Sequence, residues 1–254
     1  MAADSLTNAY APPLGERPRC AYVLVASRKY FRALAVLLHS LFRQNNLAPD
    51  TDCDTLVMLW SPNCSDSVLS LEQRQRVECL AGRRRVDWAV AQHERMRIWN
   101  AVRLPVQLPG VCLLMSLEMF FLNVTAVIHF DLDMLVLRPV SFVAGEVLNE
   151  KRSALHQKKL REFQWILHGH CHSGNSRQHC PTHIQLGFTA FLAPAAQSFR
   201  HALLAVSIKW TKQARLAKNG DQDIVNKALE MHDATIPRRW PALKKKIDAG
   251  RKLR

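Results

Sequence analysis

Short apolar runs alternate with segments of helical spacing along this chain, and that alternation leaves few folds open. Residues 20–26 (CAYVLVA) read as a buried strand, since an unbroken apolar run has no polar face to offer water. Over 30–44, Leu34, Leu37, Leu38, Leu41 and Phe42 recur at helical spacing. A second strand at 55–60 (TLVMLW) closes on the breaker Ser61-Pro62-Asn63. Ser70 with Gln73 has the pattern of a capping box that opens a helix to Leu80. A brief strand around Val86-Asp87-Trp88 and a helix over 93–102 follow. Residues 126–130 (AVIHF) form a strand that runs into Asp131-Leu132-Asp133 and a further extended run, 134–137. Beyond a helical stretch at 142–149 and a polar segment at 150–183, the pattern predicts a strand over 184–192 and helices over 194–211 and 221–230. Strands and helices in this order make an α/β fold: a mostly parallel sheet with helices on both faces and ligands at the carboxyl ends of strands.

Chain length and apolar content suit one domain, expected over 20–240 between a flexible segment 1–19 and a basic tail 241–254. The formal charge of +14 favours anionic partners. Much of it sits in runs such as Arg83-Arg84-Arg85, which are usually solvated, and no nucleic-acid-binding motif accompanies it. The seven cysteines are scattered without a CxxC pair, and most read as free thiols of a reducing compartment. Residues 1–20 lack the apolar core of a secretory signal, so the expectation is a cytoplasmic protein in which the acceptor sequence Asn123-Val124-Thr125 stays unmodified.

Three segments carry chemistry. Asp131 and Asp133 stand two apart where an apolar strand ends; if the backbone stays extended, both carboxylates face one side and can meet one cation. Hard oxygen donors suit Mg²⁺ or Mn²⁺, ions that complete their shells with substrate phosphates. In Gly220-Asp221-Gln222-Asp223, the glycine permits a tight turn and Asp221 begins a helix, where carboxylate and amide can hold sugar hydroxyls, though a plain helix cap has the same pattern. In Gln185-Leu186-Gly187, Gly187 lets a ligand approach the backbone or marks a bulge.

Taken together and in this order, CAYVLVASRKY, ERMRIW, VIHFDLDMLVLRP, the Gln185-x-Gly187 pair and GDQDIVN resemble the family 8 glycosyltransferases, the group of glycogenin and the lipopolysaccharide galactosyltransferases. The resemblance implies a GT-A fold, a UDP-sugar donor, Mn²⁺ and transfer of a hexose with retention. It places Ala26, Ser27 and Tyr30 around the uridine, with Tyr30 stacked on the base, and Arg95 on a phosphate or a neighbouring acid. Asp131 falls on ribose and metal, Asp133 on metal and diphosphate. Gln185, Gly187, Asp221 and Gln222 fall on the donor sugar, with Gln222 beside the anomeric carbon. The acceptor, glycan or protein, is left open.

Against the family pattern, Gln185 replaces the usual Asn and Arg95 the usual Lys, and no His-x-x-Gly-x-x-Lys-Pro-Trp segment supplies a further metal ligand and a phosphate-binding lysine. On that ground a catalytically impaired protein of this fold is the alternative. Residues 104–123 are almost wholly apolar, but Pro105, Pro109 and Glu118 argue against a membrane span. They read as an apolar insertion, of the kind a faulty gene model leaves. The His- and Cys-rich stretch 168–183 reads as a polar surface loop, because Cys171 and Cys180 have no familiar zinc spacing. A haloacid-dehalogenase-type phosphatase also places its nucleophile in an apolar-DxD segment, but Met134-Leu135 stands where that class has Gly-Thr.

Overall fold

A computed structural model describes residues 20–44, 53–102, 114–137, 140, 186–193, 197–212 and 220–231. Gln185, the helix expected at 142–149, the His- and Cys-rich stretch, and the segments 1–19 and 241–254 lie outside the described residues.

The strands are β1 (Ala21–Val25), β2 (Thr55–Trp60), β3 (Arg85–Val90), β4 (Ala126–Phe130) and β5 (Phe188–Leu192). They form one sheet in the order β3-β2-β1-β4-β5. All pairs are parallel except β4 with β5. The three inner strands are covered on both faces, which is why they read as continuous apolar runs rather than as alternating ones. The edge strand β3 is half-exposed and carries the Arg85–Asp87 ion pair at 2.7 Å, a charged rim that discourages pairing with another chain.

Helices α1 (Phe31–Gln44) and α2 (Leu71–Ala81) cover one face, where Leu34, Leu38 and Leu41 pack on Tyr22, Leu24 and Met58. The capping box expected at the start of α2 forms: Gln73 N–H donates to Ser70 Oγ at 3.2 Å, and Ser70 N–H to Gln73 Oε1 at 3.0 Å. The other face is covered by α3 (His93–Ala101), α4 (Gln197–Lys212), α5 (Asp221–Met231) and a 3-10 segment, Met115–Phe121.

That 3-10 segment belongs to the described part of the apolar stretch 104–123, whose residues 104–113 lie outside the described residues. All seven of its residues are buried. Phe120 stacks on Phe191 of β5 with ring centroids 4.9 Å apart and meets Phe199 of α4 edge-on at 5.2 Å. Its apolar character belongs to the core of the domain.

The cysteine reading is corrected. Cys20 and Cys53 are disulfide-bonded, with Cα atoms 5.0 Å apart, and Cys64 is also bridged. Each of the first pair just precedes a strand, and the parallel register Ala21 with Thr55 sets them side by side. Nothing in a scattered spacing reveals that register. Cys79 is an exposed free thiol. No helix among the described residues is long and apolar enough to cross a membrane.

Candidate active site

Strand order reverses direction between β1 and β4, and such a switch leaves a crevice at the carboxyl ends of the two strands. The segments singled out by sequence sit around it: 26–30 after β1, 131–133 after β4, Leu186 and Gly187 before β5, and the first turn of α5.

The loop after β1 is gathered by one carboxylate that the sequence did not single out, Asp66 in the 3-10 turn Ser65–Ser67. Its Oδ2 accepts from Ser27 Oγ at 2.7 Å and its Oδ1 from Lys29 N–H at 2.9 Å. Its backbone carbonyl accepts from Arg28 N–H at 2.6 Å. Ser27 Oγ in turn accepts from Tyr30 N–H at 3.2 Å, and Ala26 N–H extends the β1–β2 ladder to Leu59 O at 2.8 Å. Ala26 and Ser27 are buried by this arrangement, while Tyr30 keeps 48% exposure and offers its ring at the surface.

The extended backbone expected at Asp131-Leu132-Asp133 is not what forms. The strand ends at Phe130, and Met134 N–H donates to Asp131 O at 3.2 Å, closing a turn in which Asp131 is half-buried and Asp133 exposed. Asp131 N–H extends the pairing with β5 by one bond, to Gly187 O at 2.8 Å, and beyond it the chain turns. Residues 134–137 pair with no strand. A Cβ on Gly187 would meet Asp131 Oδ2 at 3.4 Å, an ordinary van der Waals contact, so the two residues lie side by side. Beneath them, buried His129 lies with Nδ1 3.3 Å from Leu186 O. Burial lowers its pKa, against the Asp131 charge and that hydrogen bond, and keeps it neutral.

Gly220 has φ +67°, a left-handed conformation that L-residues with side chains rarely adopt, and its carbonyl accepts from Ile224 N–H at 3.4 Å to start α5. Asp221 is thereby the first helical residue. Its Oδ1 accepts from Gln222 N–H at 2.8 Å and its Oδ2 from Ser116 Oγ at 2.5 Å. Removal from water raises the carboxyl pKa to about 6; the Ser116 hydrogen bond opposes the rise and the nearby Asp131 charge adds to it. The residue as a whole is half-buried. Ser116 was missed because it lies in the stretch read as an insertion.

Arg95, expected on a phosphate or a neighbouring acid, is turned to the acid. Its Nε and Nη2 donate to the two oxygens of Glu118 at 3.0 and 2.8 Å, and its Nη1 donates to Gln92 Oε1 at 2.7 Å. Its guanidinium lies 4.2 Å from the Phe121 ring centroid. With 1% exposure, it ties α3 to the 3-10 segment and presents nothing to the crevice. Burial raises the Glu118 pKa against the pull of Arg95.

The group as a whole is one of oxygen donors. Asp131 and Asp221 arrive from distant parts of the chain yet stand near enough for one charge to perturb the other. Among the described residues no group of three or more His, Cys, Asp or Glu side chains forms a complete metal cage.

Solved structures similar to this chain include the galactosyltransferase LgtC in complex with donor and acceptor sugar analogues, with a TM-score of 0.55 and 18% identity over 82% of this chain and 70% of that one. An active-site glutamine variant of LgtC aligns equally, at 0.54 and 17%. Mouse xyloside xylosyltransferase 1 in its apo form aligns with a TM-score of 0.51 and 13% identity, over 86% of this chain and 84% of that one. This chain has the GT-A glycosyltransferase fold. No protein-family model matches it, and no curated protein matches it in sequence. At a strand-order switch such as that between β1 and β4 a sheet of this kind leaves room for a ligand, and the Asp66-bound loop and Asp131 follow those two strands.

Proposed function

We propose that this protein is a retaining glycosyltransferase that passes a hexose from a UDP-sugar to an acceptor, glycan or protein, with Mn²⁺ (or Mg²⁺) as cofactor. What supports the reading is Asp131 at the end of β4, beside the strand-order switch, with Asp221 at the start of α5 near enough for the Asp131 charge to push its pKa up. The complex of LgtC, a protein of this fold, with donor and acceptor sugar analogues supports it.

The residues present fit a divalent cation. Asp131 and Asp133 offer hard oxygens at the strand end, and the repulsion between Asp131 and the desolvated Asp221 is of the kind a cation relieves. Such an ion, when bound, offsets the charge of a departing diphosphate. The protein's own groups supply placement. Ala26, Ser27 and the exposed ring of Tyr30 form a seat for uridine, held in shape by Asp66. Gly187 and Gln185 border the donor sugar, and Asp221 with Gln222 presents a carboxylate and an amide to its hydroxyls. Gln222 beside the anomeric carbon accords with LgtC, which carries an active-site glutamine. In the transfer, the bond from the anomeric carbon to the diphosphate oxygen breaks and a bond to the acceptor oxygen forms. The acceptor proton passes to the departing phosphate oxygen.

The test is UDP release from a panel of UDP-hexoses with Mn²⁺, with and without candidate acceptors. Release that needs Mn²⁺ and disappears in Asp131→Asn supports the proposal. Failure of every donor to bind or turn over, in a folded protein, would leave only a non-catalytic member of the fold.

A further inference from the structure

We infer that Asn123 is an N-glycosylation site and that the chain matures in an oxidising lumen, contrary to the cytoplasmic expectation. The inference is independent of the transferase reading. Its first support is covalent. Cys20 is bridged to Cys53, and Cys64 is bridged as well. Each such bond forms when two thiols yield two electrons and two protons to a thiol-disulfide oxidant. Bonds of this kind persist in secretory compartments, whereas the cytosol returns them to thiols.

The second support is the acceptor itself. Asn123-Val124-Thr125 has the N-x-[ST] pattern and lies in the link between the 3-10 segment and β4. Leu122 and Val124 are buried on either side, whereas Asn123 is half-exposed, so the amide is turned outward from the core. The link is held without it: Arg200 donates from Nε to Phe120 O at 2.5 Å, and Ala193 N–H donates to Thr125 O at 3.1 Å. No hydrogen bond to a described residue occupies the Asn123 side chain. Its Nδ2 can therefore exchange a hydrogen for a bond to the first sugar carbon without loss of a contact that shapes the fold. In that step the sugar leaves a lipid-linked diphosphate, whose carbon–oxygen bond breaks, and the amide proton is released.

The third support is position. Asn123 precedes β4, so it lies at the amino end of the parallel strands, as Cys20 and Cys53 do. Asp131 lies at the opposite end, roughly 17 Å away for a strand of this length. A glycan there leaves the crevice open. A second sequence with the same pattern, Asn63-Cys64-Ser65, differs on each count. Asn63 Nδ2 lies 2.9 Å from His93 Nδ1, its neighbour Cys64 is bridged, and it follows the carboxyl end of β2 on the crevice side.

The test uses the endogenous protein, tagged at its own locus. Peptide-N-glycosidase should raise its mobility by the equivalent of one glycan. That shift should vanish in Asn123→Gln and Thr125→Ala and persist in Thr125→Ser and Asn63→Gln; the Thr125 pair separates glycan loss from misfolding. Thiol blocking without reductant should leave Cys20 and Cys53 unlabelled. An endogenous protein with no shift, a shift that only Asn63→Gln removes, or full labelling of both cysteines overturns the inference.

Discussion

Ser116 donates a hydrogen bond to the Asp221 carboxylate across 105 positions of sequence, and that bond opposes the burial that drives the carboxyl toward neutrality. Ser116→Ala removes the donor while the fold keeps its apolar contacts. Asp221 should then titrate above its present value of about 6, and the acid limb of the kcat/KM profile should move up with it. We expect a loss of activity of about tenfold, equivalent to ~1.4 kcal/mol, and a stability loss of about 1 kcal/mol. An unmoved acid limb would separate Asp221 from the chemistry.

Asp131→Asn and Asp133→Asn each remove an anionic oxygen from the end of β4. Activity with Mn²⁺ should fall by about 100-fold or more, on the order of 3 kcal/mol. The thermal stabilisation given by Mn²⁺ with UDP should be lost in the same variants, and a chelator should reproduce both effects in the wild type. Asp131→Asn has one further effect that Asp133→Asn is not expected to share: with the neighbouring charge gone, the Asp221 pKa comes down.

In the metal-free protein, Asp221 makes stability depend on pH in a stated direction. Its folded pKa, about 6, lies above the ordinary 3.8, so the folded chain holds a proton that the unfolded chain has released between these values. The contribution is full below pH 4 and is lost as pH rises through 6, on the order of 2–3 kcal/mol for a shift of this size. Urea midpoints at pH 4 and pH 7 should therefore differ less in Asp221→Asn than in the wild type. Equal differences in the two proteins would show that the carboxyl is better hydrated than its surroundings imply.

The Arg95–Glu118 pair should matter to folding more than to catalysis. Either residue changed alone to Ala leaves the partner charged and buried, which costs about 3–5 kcal/mol. Replacing both, as Arg95→Met with Glu118→Leu, removes the charge and the desolvation together and should recover most of that loss. Chemical denaturation of the two single variants and the double variant measures the coupling.

Much of the frame could be read from residues because the inner strands and α1 obey simple periodicities: unbroken apolar runs at 21–25, 55–60 and 126–130, and Leu34, Leu38 and Leu41 at helical spacing. The box at Ser70 and Gln73 depends on two side chains three positions apart, and it was equally readable. Part of what failed depends on distance in sequence. Asp66 grips the loop after β1 from 37 to 39 positions away, and no pattern in 61–67 announces it. The 3-10 segment has neither helical nor strand period, so no pattern announced its place in the core. The turn at Asp131 is closed by Met134 N–H donating to its carbonyl, where the apolar run of the sequence reads as continued extension.

The cross-link between Cys20 and Cys53 and the carboxylate of Asp131 occupy opposite ends of the same sheet. That bond fastens the amino ends of β1 and β2, with the hydrogen-bonded ladder between it and the crevice. An engineer who adds a second staple at the fastened end can raise tolerance to heat without touching the geometry at the working end. The reverse also holds: the crevice can be recut for a new sugar while the staple keeps the scaffold whole.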